Sequence, residues 1–313
     1  MIKQSDLKHG RAPNWSARMG VPSILTCAVT AAVAGVATAA VVVALAGCSL
    51  GAGAAGGSGP AASFAAVEAV AKTCPTVTVA GSAKPVAATP QVYVAADASG
   101  SFSAKASVAH SLAALHDITT WVDTCAGRLH ISVFATSATD TATVLDQHFV
   151  ATGATRTAQL RASMKTAAAA IQRIDAAYPA AVKQLADKGS DVVAQFTEAA
   201  DYFAVVRATN PAGAAANQVD YLWILSDGMN NEGGLVLGSK LTVAQAVALA
   251  GRASLPNLAG VHVTIAGVGR LSDAKTVIPT SWTASLTAFY KRICQRAGVA
   301  SCVVVSQYQP VAG

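Results

Sequence analysis

Val92-Tyr93-Val94-Ala95-Ala96-Asp97-Ala98-Ser99-Gly100-Ser101 is the stretch on which the fold turns. Five apolar residues run without a break and stop at a carboxylate. A short continuous apolar run of this kind reads as a strand buried on both faces. Downstream, Val108, Leu112, Leu115, Ile118 and Val122 recur at three- and four-residue steps, the period of a helix with one apolar face. Strands read at Leu129–Ala135 and, more weakly, at Thr143–Val150. An alanine-rich helix is expected over Thr157–Lys188, with Leu160, Met164, Ile171 and Ile174 on one side and a break at Pro179. A helix after Gly189 aligns Val192, Phe196, Ala199, Phe203 and Val206. Then come a strand at Asp220–Leu225, a helix at Val243–Ala253, a strand at Val261–Val268, a helix at Ser285–Arg296 and a strand at Cys302–Ser306. Alternating strands and helices predict an α/β fold: a doubly wound, mostly parallel sheet with helices on both faces. The weak strand near 143–150 is the expected antiparallel edge.

In such a sheet, ligands bind beyond the carboxyl ends of the strands, where the strand order switches. Two strands end there in polar, glycine-containing turns. One is Asp97-Ala98-Ser99-Gly100-Ser101; the other is Ser226-Asp227-Gly228-Met229-Asn230-Asn231-Glu232. A carboxylate and two hydroxyls on alternate residues of one turn can converge on a hard cation. Oxygen donors of this kind suit Mg²⁺ or Mn²⁺, with a second carboxylate from the neighbouring strand end balancing the charge. Serine, glycine and aspartate are also ordinary turn residues, and Ser103 and Ser107 are placed to cap the first helix. Asn230 and Glu232 are placed to rim the metal site or simply to face solvent.

Asp97-Ala98-Ser99-Gly100-Ser101 resembles the DxSxS turn of von Willebrand factor type A domains. Ser226-Asp227-Gly228 is similar to the Thr/Ser-Asp-Gly strand end of that family. The resemblance covers about Gln91–Gln307 and implies a Rossmann-like fold with a metal-ion-dependent adhesion site (MIDAS). It implies metal ligation by Asp97, Ser99, Ser101 and Asp227, directly or through water. A third loop, expected to carry threonine, is here Gly189-Ser190-Asp191, and Ser190 keeps the hydroxyl. Gly153-Ala154-Thr155 also precedes a helix and is the rival position. Residues 155–188 stand out as a helical insertion. The resemblance implies a binding module, not an enzyme, whose metal takes an acidic side chain of a protein partner. A degenerate site, with the fold acting as a metal-independent scaffold, is another reading.

An enzyme reading also exists. Phosphohydrolases of the haloacid dehalogenase type open with a strand-end aspartate, and their late Gly-Asp-Gly-x-Asn-Asp motif is close to Ser226–Asn231. They need a second aspartate two residues after the nucleophile as general acid. Ser99 stands there, and Asn231 replaces a carboxylate. No G-x-S-x-G, H-E-x-x-H or Walker sequence is present. His110, His116, His130, His148 and His262 lack paired ligand spacing, so surface or core roles are expected rather than zinc.

At the amino end, residues 1–18 are polar and net positive, and 19–47 carry no charge. A basic start, an apolar run and small residues make a secretion signal. The run closes on Leu45-Ala46-Gly47-Cys48, which resembles the lipobox of bacterial lipoproteins. That implies cleavage before Cys48, acylation of its thiol (palmitate among the expected chains) and a membrane anchor on the extracytoplasmic face. The alternative is an uncleaved membrane-spanning helix. The expected layout is signal 1–47, lipidated cysteine and Gly/Ala/Ser tether 48–62, amino-terminal extension 63–90, and type A-like domain 91–313. The first 47 residues hold four of the 22 basic and one of the 16 acidic residues, so the remainder is nearly balanced. With no basic run after Arg18, nucleic acid is not an expected partner.

Beyond Cys27 and Cys48, four cysteines remain, an even number suited to an oxidising compartment. Parallel strands run up toward the metal site and helices run back down. Cys125 follows the first helix and Cys74 precedes the first strand, so both lie at the bottom. Cys294 sits low on a descending helix and Cys302 opens the next strand. The expected pairs are Cys74–Cys125 and Cys294–Cys302.

Overall fold

The computed structural model describes residues 63–79, 83–137, 139–186, 189–209, 217–270 and 278–309. The expected signal, Cys48 and the tether lie outside the described residues. Helix α1 (Phe64–Ala71) and a two-stranded antiparallel ribbon, β1 (Thr76–Val77) with β2 (Val86–Ala87), form the amino-terminal extension. The main sheet begins with β3 (Thr89–Asp97), followed by α2 (Lys105–Thr124), β4 (Arg128–Phe134) and β5 (Thr141–His148). Two helices come next, α3 (Arg156–Leu185) and α4 (Ala194–Thr209). The chain then alternates through β6 (Gln218–Leu225), α5 (Val243–Ala250), β7 (His262–Ala266), α6 (Thr280–Ala297) and β8 (Ser301–Val305).

The six strands are ordered β5-β4-β3-β6-β7-β8. All neighbours are parallel except β4 and β5, so β5 is the antiparallel edge. The first strand of this sheet lies at its centre. The chain builds outward to β5 on one side and returns to β6 on the other. The switch in strand order therefore falls between β3 and β6, where Ala96 pairs with Leu225. That register sets Asp97 beside Ser226.

Alternation along β3 divides the core. Val92, Val94 and Ala96 face a layer with α2 and α3, whereas Tyr93 and Ala95 face α4, α5 and α6. Every residue of β3 from Pro90 to Asp97 is buried, as its uninterrupted apolar reading requires.

The described residues 155–186 of the expected insertion form a layer of the fold. Leu160, Ala170, Ile174 and Tyr178 of α3 are buried, and the helix packs on α2 and β5. Met164 and Ile171, expected on its core side, are half-buried; the buried stripe runs instead through Ser163, Ala167, Ala170 and Ala181. Finally, Pro179 lies inside a continuous α3. Its ring deletes one backbone hydrogen bond, but buried Tyr178, Val182 and Leu185 hold the flanking turns against the core.

The four cysteines pair as topology requires. Cys74–Cys125 and Cys294–Cys302 are joined, with Cα–Cα distances of 5.4 and 6.1 Å. Among the described residues, no helix is long and apolar enough to cross a membrane.

Candidate metal centre

Asp97 closes β3 with its carboxylate fully buried. Its Oδ1 accepts from the Ser99 backbone N–H at 2.8 Å, which bends the chain into the turn. Its Oδ2 accepts from two hydroxyls on other elements, Ser190 Oγ at 2.9 Å and Ser226 Oγ at 2.6 Å. Ser99 Oγ lies 3.3 Å from Ser101 Oγ on the same turn. The turn continues into α2 through the Phe102 and Ser103 N–H groups, both of which donate to the Ser99 carbonyl. Ser103 and Ser107 do not cap α2: its N-cap is Ala104, with no side-chain acceptor. Ser103 instead donates to the Gly100 carbonyl at 3.3 Å.

Asp227 follows β6 and is fully buried. Its Oδ1 accepts from the Met229 N–H at 2.9 Å, while its Oδ2 has no hydrogen-bond partner. The turn relies on Gly228 at φ +79°, where a Cβ would come within 3.2 Å of Tyr290 and Val268. Tyr290 Oη donates to the Gly228 carbonyl at 2.8 Å and fixes that peptide from below.

The loop before α4 is held by residues that the sequence reading left in doubt. Asn231 Oδ1 accepts from the Ser190 N–H at 2.6 Å. Asn230 is fully buried; its Oδ1 accepts from the Val193 N–H, and its Nδ2 donates to the carbonyls of Glu232 and Leu235. Asn230 is thus a bracket between loops, not a rim residue. Glu232 is exposed and its side chain lies over Gly189. Thr155, the rival to Ser190, caps α3 by accepting from the Ala158 N–H at 3.2 Å and is exposed. Four of the five expected residues, Asp97, Ser99, Ser190 and Asp227, are buried within one constellation, and Ser101 joins it at the edge. Ser226 belongs there too. In the sequence it stands only as part of a strand-end motif, and a hydroxyl on the strand paired with β3 is the signal for its role.

The charges explain the chemistry. Burial pushes the Asp97 carboxyl above its usual range, against hydrogen bonds from Ser226, Ser99 and Ser190. Asp227 is pushed up to about 7, first by burial and then by the negative charge of Asp97, against the nearby Ser101 hydroxyl and the Met229 N–H. Two buried carboxylates on adjacent strand ends, one with an orphaned oxygen, leave negative charge uncompensated. A divalent cation among hydroxyls and carboxylates is the partner that such a donor set fits. Among the described residues, no group of three or more His, Cys, Asp or Glu side chains converges. The histidines hold separate partners: His116 meets Asp175, His130 lies near Asp146, and His262 meets Ser301.

No protein-family description matches this sequence, and no curated protein does. Solved structures resemble it at low identity. BatB from Bacteroides thetaiotaomicron is 16% identical, with TM-score 0.36, over 70% of this chain and 91% of that one. An aerotolerance-related membrane protein from Bacteroides fragilis is 16% identical, with TM-score 0.36, over 71% and 92%. The VWA domain of SpRpn10 is 9% identical, with TM-score 0.31, over 71% and 91%. By its strand order, its single antiparallel edge and the DxSxS turn at its switch point, this chain has a fold of the von Willebrand factor type A kind.

Proposed function

We propose that this protein is a membrane-anchored, extracytoplasmic binding module that captures a protein partner through a divalent cation. The observation that carries the reading is Asp227 Oδ2, buried and unpartnered beside the fully buried Asp97. Ser99, Ser101 and Ser190, with Asp97 and Asp227 directly or through water, would hold Mg²⁺ or Mn²⁺. A cation bound there supplies an electrophilic position for a carboxylate of the partner. The chain's own contribution is to pre-set the donors. Asn231 fixes the Ser190 backbone, Ser226 aligns Asp97, and Tyr290 locks the peptide after Asp227.

The phosphohydrolase reading is disfavoured by the residue two positions after Asp97. Ser99 cannot act as the general acid that this chemistry requires. Anchoring through acylated Cys48, after cleavage at Gly47, completes the proposal and rests on the lipobox-like sequence.

Titration calorimetry with Mg²⁺ and Mn²⁺ is the first test. A saturable heat in the native chain, lost in Asp97→Ala, is expected. Equal heats in both would remove the metal site. Turnover of generic phosphate esters that disappears in Asp97→Asn would restore the hydrolase. Mass spectrometry of the membrane fraction should find a chain beginning at acylated Cys48, and Cys48→Ala should block processing. A mature chain retaining residues 19–47 would favour the uncleaved anchor.

A further inference from the structure

A cleft of about 440 Å³ opens between the first turns of α2 and the carboxyl ends of β6 and β7. It shares no residue with the proposed metal ligands. Phe102, Leu225 and Ala266 form its apolar floor, and each is buried. At the mouth, Arg270 brings its guanidinium within 2.9 Å of His110 Nε2. Arg270 is half-buried, and among the described residues no carboxylate lines the cleft. Helix α2 carries no acidic residue in its first turn. An apolar recess of this size with a cation at one side is the usual form of a small-ligand site.

We propose that this cleft binds a small amphiphilic organic anion. Its apolar body lies on Phe102, Leu225 and Ala266, and its anionic group pairs with Arg270. His110 accepts from the guanidinium in the free protein. It thereby holds Arg270 over the mouth, aimed at a planar anion that the guanidinium engages through two donors. A neutral molecule of the same shape gains the apolar contacts alone, so charge is the discriminating feature.

The test uses the full chain in lipid nanodiscs, with empty discs as the blank. Two probes of matched shape are titrated by calorimetry, 1-naphthylacetate and its uncharged amide. Saturable binding is expected, with the carboxylate favoured by about tenfold or more. Arg270→Gln should abolish that preference while leaving the amide unchanged. Ala106→Trp should weaken both probes by at least about tenfold, because Ala106 is an exposed wall residue and an indole there fills the cleft without entering the core. Circular dichroism melting identifies a variant that fails to fold, and Arg270→Gln gives an independent reading in that case. The absence of saturable heat overturns the proposal. So does equal affinity for the two probes, or full affinity retained in a folded Ala106→Trp chain. Each result is obtained in chelator, so failure of the metal site has no bearing on it.

Discussion

The two ends of the main sheet are built on opposite terms. At the carboxyl ends of β3 and β6, buried carboxylates sit side by side and one oxygen lacks a partner. Toward the amino ends, covalent bonds tie helices and the extension to the strands: Cys74 to Cys125 before β4, Cys294 to Cys302 at the start of β8. One end bears an electrostatic cost, and the other restricts the unfolded chain. Marginal stability makes this division useful, since a destabilised site needs support placed where it does not interfere.

The comparison breaks most sharply if the lower end is cut. Cys74–Cys125 spans 51 residues, so Cys74→Ser with Cys125→Ser should cost about 4 kcal/mol in the chain-entropy model. Cys294–Cys302 spans only 8, and its removal should cost less, on the order of 2.5 kcal/mol. Thermal melting ranks the two. Magnesium affinity should stay the same in both, measured well below the transition. An affinity loss in either variant would show that the two ends are mechanically coupled.

Changing the upper end should act in the opposite sense. Burial, and then the charge of Asp97, push the Asp227 carboxyl up to about 7 in the folded chain. Its unfolded value is about 3.9. Between these values the unfolded state has lost its proton and the folded state keeps it, so folding stability falls as pH rises. The metal-free protein should therefore melt higher at pH 5 than at pH 7.5. Asp227→Asn should flatten that slope and raise metal-free stability at pH 7.5 by on the order of 2 kcal/mol, while abolishing metal binding. In native protein, Mg²⁺ competes with the proton, so its affinity should rise through about pH 7. A pH-independent melting temperature with chelator present would mean that Asp227 is solvated and its charge relieved.

Much of this was legible because β3 is an uninterrupted apolar run ending in Asp97, and because the polar turns recur in the right order. The edge strand showed itself by its weaker pattern, and Leu145 is the one buried residue of β5. What escaped had physical reasons. The buried stripe of α3 includes Ser163, Ala167, Ala170 and Ala181, which carry little hydrophobic signal yet let helices approach closely. Thr124 reaches Ser163, and Thr166 reaches Asp123 across that seam. The continuity of α3 through Pro179 is decided by packing on either side, which local propensity does not contain. The brackets Asn230 and Asn231 read as loop polarity because their partners, Val193 and Ser190, lie about 40 positions away. The short α1 and the β1–β2 ribbon were subsumed in an extension, since two-residue strands leave no periodicity to read.

The smallest predicted effect decides between two hydroxyls that were rivals in the sequence. Thr155 and Ser190 both precede helices, and either residue type can cap a helix or ligate a cation. Thr155 Oγ1 accepts from Ala158 at the start of α3, and its surroundings are exposed. Losing that bond should cost about 1 kcal/mol, the ordinary worth of an N-cap. Ser190 Oγ instead donates to Asp97 Oδ2, fully buried. Thr155→Ala should therefore melt slightly earlier and bind Mg²⁺ as the native chain does. Ser190→Ala should lose at least about tenfold in Mg²⁺ affinity, the usual scale for a missing oxygen donor or its support. Ser190→Thr, which keeps the hydroxyl, separates the donor from the side-chain shape, and retained binding there would assign the role to the oxygen. If Thr155→Ala weakens the metal and Ser190→Ala does not, the cation is held by a different loop, and the contact from Ser190 to Asp97 serves only to neutralise a buried charge.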